Sequence, residues 1–170
     1  MKAQGPSLEI LPGGETKLIR QFIENSHAVA KVLLDRLATA LNLPPDSQLV
    51  TNHDNNGPSD SGLKLESVPM KERLEDVPSS EHTDRGTLTL LFCSMFTTEL
   101  YIPETGEWKF IVPKDRCAIV NVGDALQRSS GGRFMSCLHR VGQPVPGAGE
   151  RICVLYYLRP SNKGSSSTGI

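Results

Sequence analysis

With 170 residues, a formal charge of −1 and a pI near 6.4, the chain has room for one ordinary domain and no electrostatic attraction for nucleic acid or an anionic membrane. No apolar run approaches a membrane span, and the start, Met1-Lys2-Ala3-Gln4, lacks the apolar stretch of a secretory signal. Cys93, Cys117, Cys137 and Cys153 are scattered with no CxxC pair, which predicts reduced thiols in a cytoplasmic protein rather than a disulfide framework or a structural zinc site.

Residues 1–15 carry Gly5, Pro6, Pro12, Gly13 and Gly14 and read as a loose lead-in. Thr16 is placed to cap a helix over about 16–43 with an apolar stripe of Leu18, Phe22, Val29, Leu33 and Leu37, flanked by Ile19, Ile23, Leu34 and Leu41 and ended by Pro44-Pro45. That face is expected to pack on a sheet, and His27 within it carries no functional assignment. Residues 44–62 have a loop composition, so His53-Asp54 reads as solvated.

From residue 63 the pattern changes to short strands and turns. Residues 63–68 alternate and stop at Pro69, and 86–92 are rich in Thr and Leu. Residues 99–102 and 108–112 flank the turn 103–106 as a hairpin, and 116–122 read as a buried strand broken at Gly123-Asp124. Ser129 to Gly132 form a turn, 133–141 a strand, 144–149 a loop and 151–158 the last strand, before a Ser/Gly tail over 161–170 expected to be disordered. Many short strands with regular turns, preceded by one helix, predict a mainly β, sandwich-type fold with an N-terminal helix packed on it.

The chemistry is carried by His82-Thr83-Asp84 and a distant His139. Two imidazoles and a carboxylate form the ligand set of a facial triad, which leaves positions open on a ferrous ion. His82 and Asp84 are two residues apart, so on a strand they project to the same side. The 54 residues between Asp84 and His139 allow several strands to cross before the last ligand returns, as a jelly roll permits. Both rings must be neutral to ligate, so metal affinity is expected to fall below about pH 6.

The stretch 82–91 resembles the metal-strand signature of the iron- and 2-oxoglutarate-dependent dioxygenases, in the branch that includes isopenicillin N synthase and plant flavonoid oxygenases. Three more segments resemble that family in the same order, and the resemblance implies the family's double-stranded β-helix (jelly roll) core over about 63–160, behind the helix at 16–43. These segments are Thr105-Gly106-Glu107-Trp108 before the fifth strand, the strand-and-turn element 120–126, and 132–141 around His139. The resemblance implies that His82, Asp84 and His139 hold Fe(II), while 2-oxoglutarate and dioxygen take the open positions. The cosubstrate is decarboxylated to succinate as a small organic substrate is hydroxylated, desaturated or cyclised. No separate acid–base catalyst is implied.

The resemblance also places the cosubstrate's distal carboxylate on Arg151, twelve residues after His139, because a guanidinium forks onto a carboxylate. Where relatives have a hydroxyl two residues further on, this chain has Cys153, a weaker donor whose substitution is expected to cost roughly tenfold in affinity. Val68 stands where relatives often have a tyrosine, and the N-terminal region that extends the main sheet in relatives is largely missing, so a partner or that region would complete the sheet. Two other readings use the same residues. One is an oxidase that dispenses with 2-oxoglutarate and gives Arg151 to a substrate carboxylate; the other is a metal-binding remnant that no longer turns over. Arg140, Asn121 and Asp124 are expected to be structural hydrogen-bonders rather than ligands.

Overall fold

The computed structural model describes residues 13–44, 47–53, 59–93, 95–147 and 149–161. Residues 1–12 of the expected lead-in, Pro45, Asp54 and the expected tail from 162 onward lie outside them. Helix α1 (Gly13–Ala40) precedes a single helical turn, α2 (Gln48–Thr51). Then follow β1 (Gly62–Pro69), β2 (Leu88–Cys93), β3 (Thr98–Ile102), β4 (Glu107–Phe110), β5 (Ile119–Val122), the short helix α3 (Asp124–Ser129), β6 (His139–Val141) and β7 (Glu150–Leu158).

The strands form two antiparallel sheets, one of four strands in the order β1-β7-β2-β5 and one of three in the order β4-β3-β6. This is the predicted jelly roll with α1 laid on the larger sheet. Alternation along β2 and β7 sorts the side chains. Leu88, Leu90, Tyr156 and Leu158 face α1, whereas Thr89, Leu91, Arg151, Cys153 and Leu155 face the space between the sheets. Both faces of β2 are therefore covered, and Leu88 to Leu91 are all buried.

Helix α1 begins three residues earlier than predicted, so Thr16 lies inside its first turn and is not the cap. Its end is set locally, before Pro44. Asn42 takes a left-handed conformation (φ 55°) while Leu43 N–H donates to the Ala38 carbonyl and Asn42 N–H to that of Thr39, a Schellman closure. The buried seam is Ala30, Leu34, Ala38 and Leu41, and Val29 is 53% exposed. Of the predicted face, Leu34 and Leu41 lie in this seam, Ile23, Leu33 and Leu37 pack beside it and Phe22 meets Phe92, so the seam is centred on the predicted flank, and Leu18 and Val29 fall outside it. Small alanines at 30 and 38 let the helix approach the sheet closely, and the bulkier Val29 and Leu18 turn outward.

His53 is not solvated: it is buried, its Nδ1 donating to the Leu49 carbonyl (2.9 Å) and its Nε2 accepting from the Thr87 hydroxyl (2.7 Å). His27, also buried, donates from Nε2 to the His53 carbonyl (3.0 Å) and accepts from the Tyr156 hydroxyl at Nδ1 (2.8 Å). Burial pushes the Tyr156 phenol up to about 12, so it keeps its proton and acts as that donor. This chain of bonds ties α1, α2 and the larger sheet together with every ring nitrogen satisfied.

Three predicted strands are shorter than their sequence runs. The segment 116–122 is not a buried strand; only Ile119–Val122 pairs, at a sheet edge, with Val120 45% exposed and Arg116 at φ 57°. The run 133–141 is paired only at His139–Val141, and the strand expected from 86 begins at Leu88. Helix α3, which the sequence reading missed, starts where Gly123-Asp124 breaks β5. Among the described residues no helix is long and apolar enough to cross a membrane.

Candidate metal centre

His82 and His139 form an isolated antiparallel bridge, exchanging backbone hydrogen bonds of 2.9 and 3.0 Å. The bridge sets their rings side by side, with centroids 4.3 Å apart. Asp84 lies two residues on, as the chain turns toward β2, with one carboxylate oxygen 3.9 Å from His82 Nε2. One ligand atom from each of His82, Asp84 and His139 lies within 4.8 Å of the others. His82 is thus paired with β6's first residue rather than standing at the start of a long strand, but the two-residue spacing still delivers Asp84 to the same place.

The surroundings leave the right atoms unengaged. His82 Nδ1 donates to the Ser80 carbonyl (2.6 Å) and His139 Nδ1 to that of Cys137 (3.0 Å). A ring nitrogen facing a carbonyl must carry the proton, so both Nε2 atoms present lone pairs. Asp84 divides its oxygens: Oδ2 accepts from Thr89 Oγ1 (2.6 Å) and Asn121 Nδ2 (2.7 Å), leaving Oδ1 toward the rings. Tautomers fixed by outer hydrogen bonds and a carboxylate oriented by two donors are what a divalent cation requires of its supporting shell. Asp84 is 8% exposed, but His82 is half open, so the cluster is anchored on one side and accessible on the other. The donor set fits a ferrous ion.

Helix α3 braces this loop from behind. Its first amides donate to it: Asp124 N–H to the Asp84 carbonyl (2.7 Å), Ala125 N–H to Gly86 (3.0 Å) and Gly123 N–H to Thr87 (3.0 Å), while Thr83 Oγ1 donates to Asp124 (3.2 Å). Asn121 and Asp124 are therefore hydrogen-bonders, as expected. Glycine at 123 is needed for this approach, because a Cβ there would overlap the Gly86 carbonyl and lie 2.8 Å from the Asp84 carbonyl oxygen. Gly123→Ala is expected to push the Asp84 segment outward, costing about 1–3 kcal/mol of stability. It should also lower metal affinity by roughly 10–100-fold. Paired thermal melts and metal titrations check both effects.

Arg151 is buried on the same inner surface. Its Nε donates to Thr97 Oγ1 (3.0 Å) and its Nη1 to Glu66 Oε2 (3.1 Å). Burial raises the Glu66 carboxyl, but Lys64 (Nζ to Oε1, 3.1 Å) and Arg151 outweigh it and hold the group below its ordinary value. Beside this cluster lies a cavity of about 180 Å³ bounded by Arg151, Glu66, Thr97, Val68, Ser80 and Val141, among others. Ser80 is the residue that orients His82, and Val141 follows His139 on the same face of β6. The cavity thus joins the arginine to the neighbours of the triad.

Cys153 is fully buried opposite Cys93 on the neighbouring strand. Burial, and then the Cys93 thiol, push Cys153 up to about 12. It packs against Cys93, and the hydroxyl beside Arg151 comes instead from Thr97. Neither Thr97, in the connection before β3, nor Glu66, on β1, carried a signal in the sequence. Arg140 is structural as expected, bonded to Glu99 (2.7 Å) and Glu81 (3.2 Å) and stacked 4.1 Å over Trp108.

Fold and donor set together define a jelly roll carrying a cluster of two histidines and one carboxylate at the mouth between its sheets. The chain belongs to the 2OG-Fe(II) oxygenase superfamily, whose sequence model matches residues 45–160. It is 38% identical over 148 residues to a 2-oxoglutarate-dependent dioxygenase of Gibberella zeae, covering 85% of this chain and 44% of the relative. It is 33% identical over 150 residues to the 2-oxoglutarate-dependent dioxygenase iboH of Amanita muscaria, covering 85% and 72% respectively. The fold is also that of a full-length Neurospora crassa protein solved in complex with alpha-KG, at a TM-score of 0.74 and 24% identity over 89% of this chain and 48% of that one. The chain spans less than half the length of the Gibberella relative.

Proposed function

We propose that this chain is the metal- and cosubstrate-binding part of an Fe(II)- and 2-oxoglutarate-dependent dioxygenase that oxidises a small organic molecule. The observation that carries the reading is the gathering of ligand atoms from His82, Asp84 and His139 within 4.8 Å of one another, each side chain with its other polar atom already engaged. His82, Asp84 and His139 would hold the iron, which, with 2-oxoglutarate and dioxygen, supplies the oxidising chemistry. The names and superfamily of the relatives support this assignment of metal and cosubstrate.

The chain's own residues have positioning tasks. Ser80 and Cys137 hold the two rings in their ligating tautomers through backbone carbonyls, and Thr89 and Asn121 aim the carboxylate. Arg151 would anchor the distal carboxylate of the cosubstrate with Thr97 beside it, in the part expected of the residue at 153; Cys153 would contribute little beyond packing. Val68 and Val141 give the cavity apolar walls that exclude water around the cosubstrate's methylene groups. We further propose that the substrate enters from the half-open side at His82, and that a preceding segment or a partner pairs along β1. That strand is the free end of the larger sheet and leaves Leu65 exposed.

The test is an anaerobic titration of the protein with Fe(II) and then 2-oxoglutarate. The expected result is one equivalent of metal and a visible metal-to-ligand charge-transfer band that saturates with cosubstrate. Stoichiometric iron with no such band at millimolar 2-oxoglutarate overturns the proposal.

A further inference from the structure

Arg151 is not waiting empty-handed for an anion. A buried guanidinium needs a counter-charge, and here the protein provides one from its own β1 strand. Val68 pairs with Arg151 in the β1–β7 register and Glu66 lies one inward-facing step before it, so the Glu66 carboxylate reaches the Nη1 edge of the guanidinium. Thr97 holds the Nε edge. The two oxygens of Glu66 are shared out, Oε2 to Arg151 and Oε1 to the ammonium of Lys64, each at 3.1 Å. Lys64 and Glu66 project from the same face of β1, and Lys64 is half exposed.

We propose that Glu66 is a built-in competitor for the second carboxylate of the cosubstrate, occupying Arg151 until a dicarboxylic 2-oxo acid displaces it onto Lys64. The inference rests on the reading of Arg151 as the cosubstrate anchor. An incoming carboxylate competes with the one already there, because two carboxylates on one buried guanidinium repel each other and the Nη1 edge is taken by Glu66. The exchange is feasible because Glu66 already has a second cation on the solvent side. Swinging toward Lys64 keeps its charge paired while the Nη1 edge passes to the ligand. Glu66 thereby sets the affinity for ligands that carry a distal carboxylate and has no effect on those that do not.

The experiment compares the wild type with Glu66→Gln, which keeps the side-chain shape and removes the charge at a partly exposed position. Anaerobic calorimetric titrations of the Fe(II)-loaded proteins use two probes. One is 2-oxoglutarate; the other is 2-oxobutanoate, which carries the same chelating end and no distal carboxylate. Glu66→Gln is expected to bind 2-oxoglutarate about tenfold tighter or more, with 2-oxobutanoate unchanged. Equal or weaker binding of 2-oxoglutarate by the variant overturns the inference, as does an equal gain for both probes, which would place the effect at the metal end. If neither protein binds 2-oxoglutarate, the functional proposal falls and takes this inference with it. Failure of the inference alone shows instead as unaltered, measurable affinity.

Discussion

Asp84→Asn is expected to lose iron almost completely while melting within about 1 kcal/mol of the wild type. The substitution is nearly isosteric, and its amide oxygen still accepts from Thr89 and Asn121, so the buried network on that side persists. What changes is the atom aimed at the rings: a lone pair becomes an N–H donor, and the only negative charge of the cluster disappears. His82→Ala should behave similarly, since that side chain is half exposed and contributes little packing. Metal analysis of protein purified reduced and anaerobic, with a thermal melt of each variant, separates loss of ligation from loss of folding. Stoichiometric, tightly held iron in Asp84→Asn would sink the assignment of the centre.

Leu34→Ala is expected to cost about 3–5 kcal/mol, whereas Val29→Ala, five positions earlier on the same helix, should change stability by less than about 0.5 kcal/mol. Leu34 is 1% exposed and sits in the cluster formed with Leu88, Leu90, Tyr156 and Leu158; Val29 is 53% exposed. For a domain of this size the larger loss corresponds to a melting shift of roughly 10 °C. Urea unfolding of both variants tests how α1 docks, because the stripe read from sequence contains Val29 and has Leu34 only at its flank. If Val29→Ala proves the more damaging, the helix docks by the other face.

The parts of this protein that follow local rules were legible in its sequence, and those set by tertiary packing were not. The alternation at 63–68 and the strand run at 151–158 match β1 and β7 almost to the residue, and the turn at Gly106 (φ 70°) makes the β3–β4 hairpin. The gathering of His82, Asp84 and His139 was legible for a different reason: a two-residue step and a long return are what a facial set of three ligands asks of a chain. The stripe on α1 failed at Val29, because hydrophobicity alone favours Val29 over Ala30, and only the opposing sheet makes the smaller residue the better fit. The run 116–122 failed similarly, being apolar enough for a core strand but lying at an edge. His53 looked solvated because a polar neighbourhood hides a side chain that reaches back under Thr87. Glu66 and Thr97 stayed invisible because their importance comes from meeting Arg151 across 85 and 54 positions of sequence.

The His82–His139 bridge joins more than two donors. His139 begins β6, which belongs to the three-stranded sheet, while the chain beyond His82 passes through Asp84 into β2 at the heart of the four-stranded one. An ion gripped there would act as a rivet across the seam, fastening the two walls of the barrel at the half-open His82 end. Occupancy and mechanical closure would then be one equilibrium, each raising the other by mass action. The metal-free protein would breathe at its mouth, while the helix-backed wall behind it stays shut.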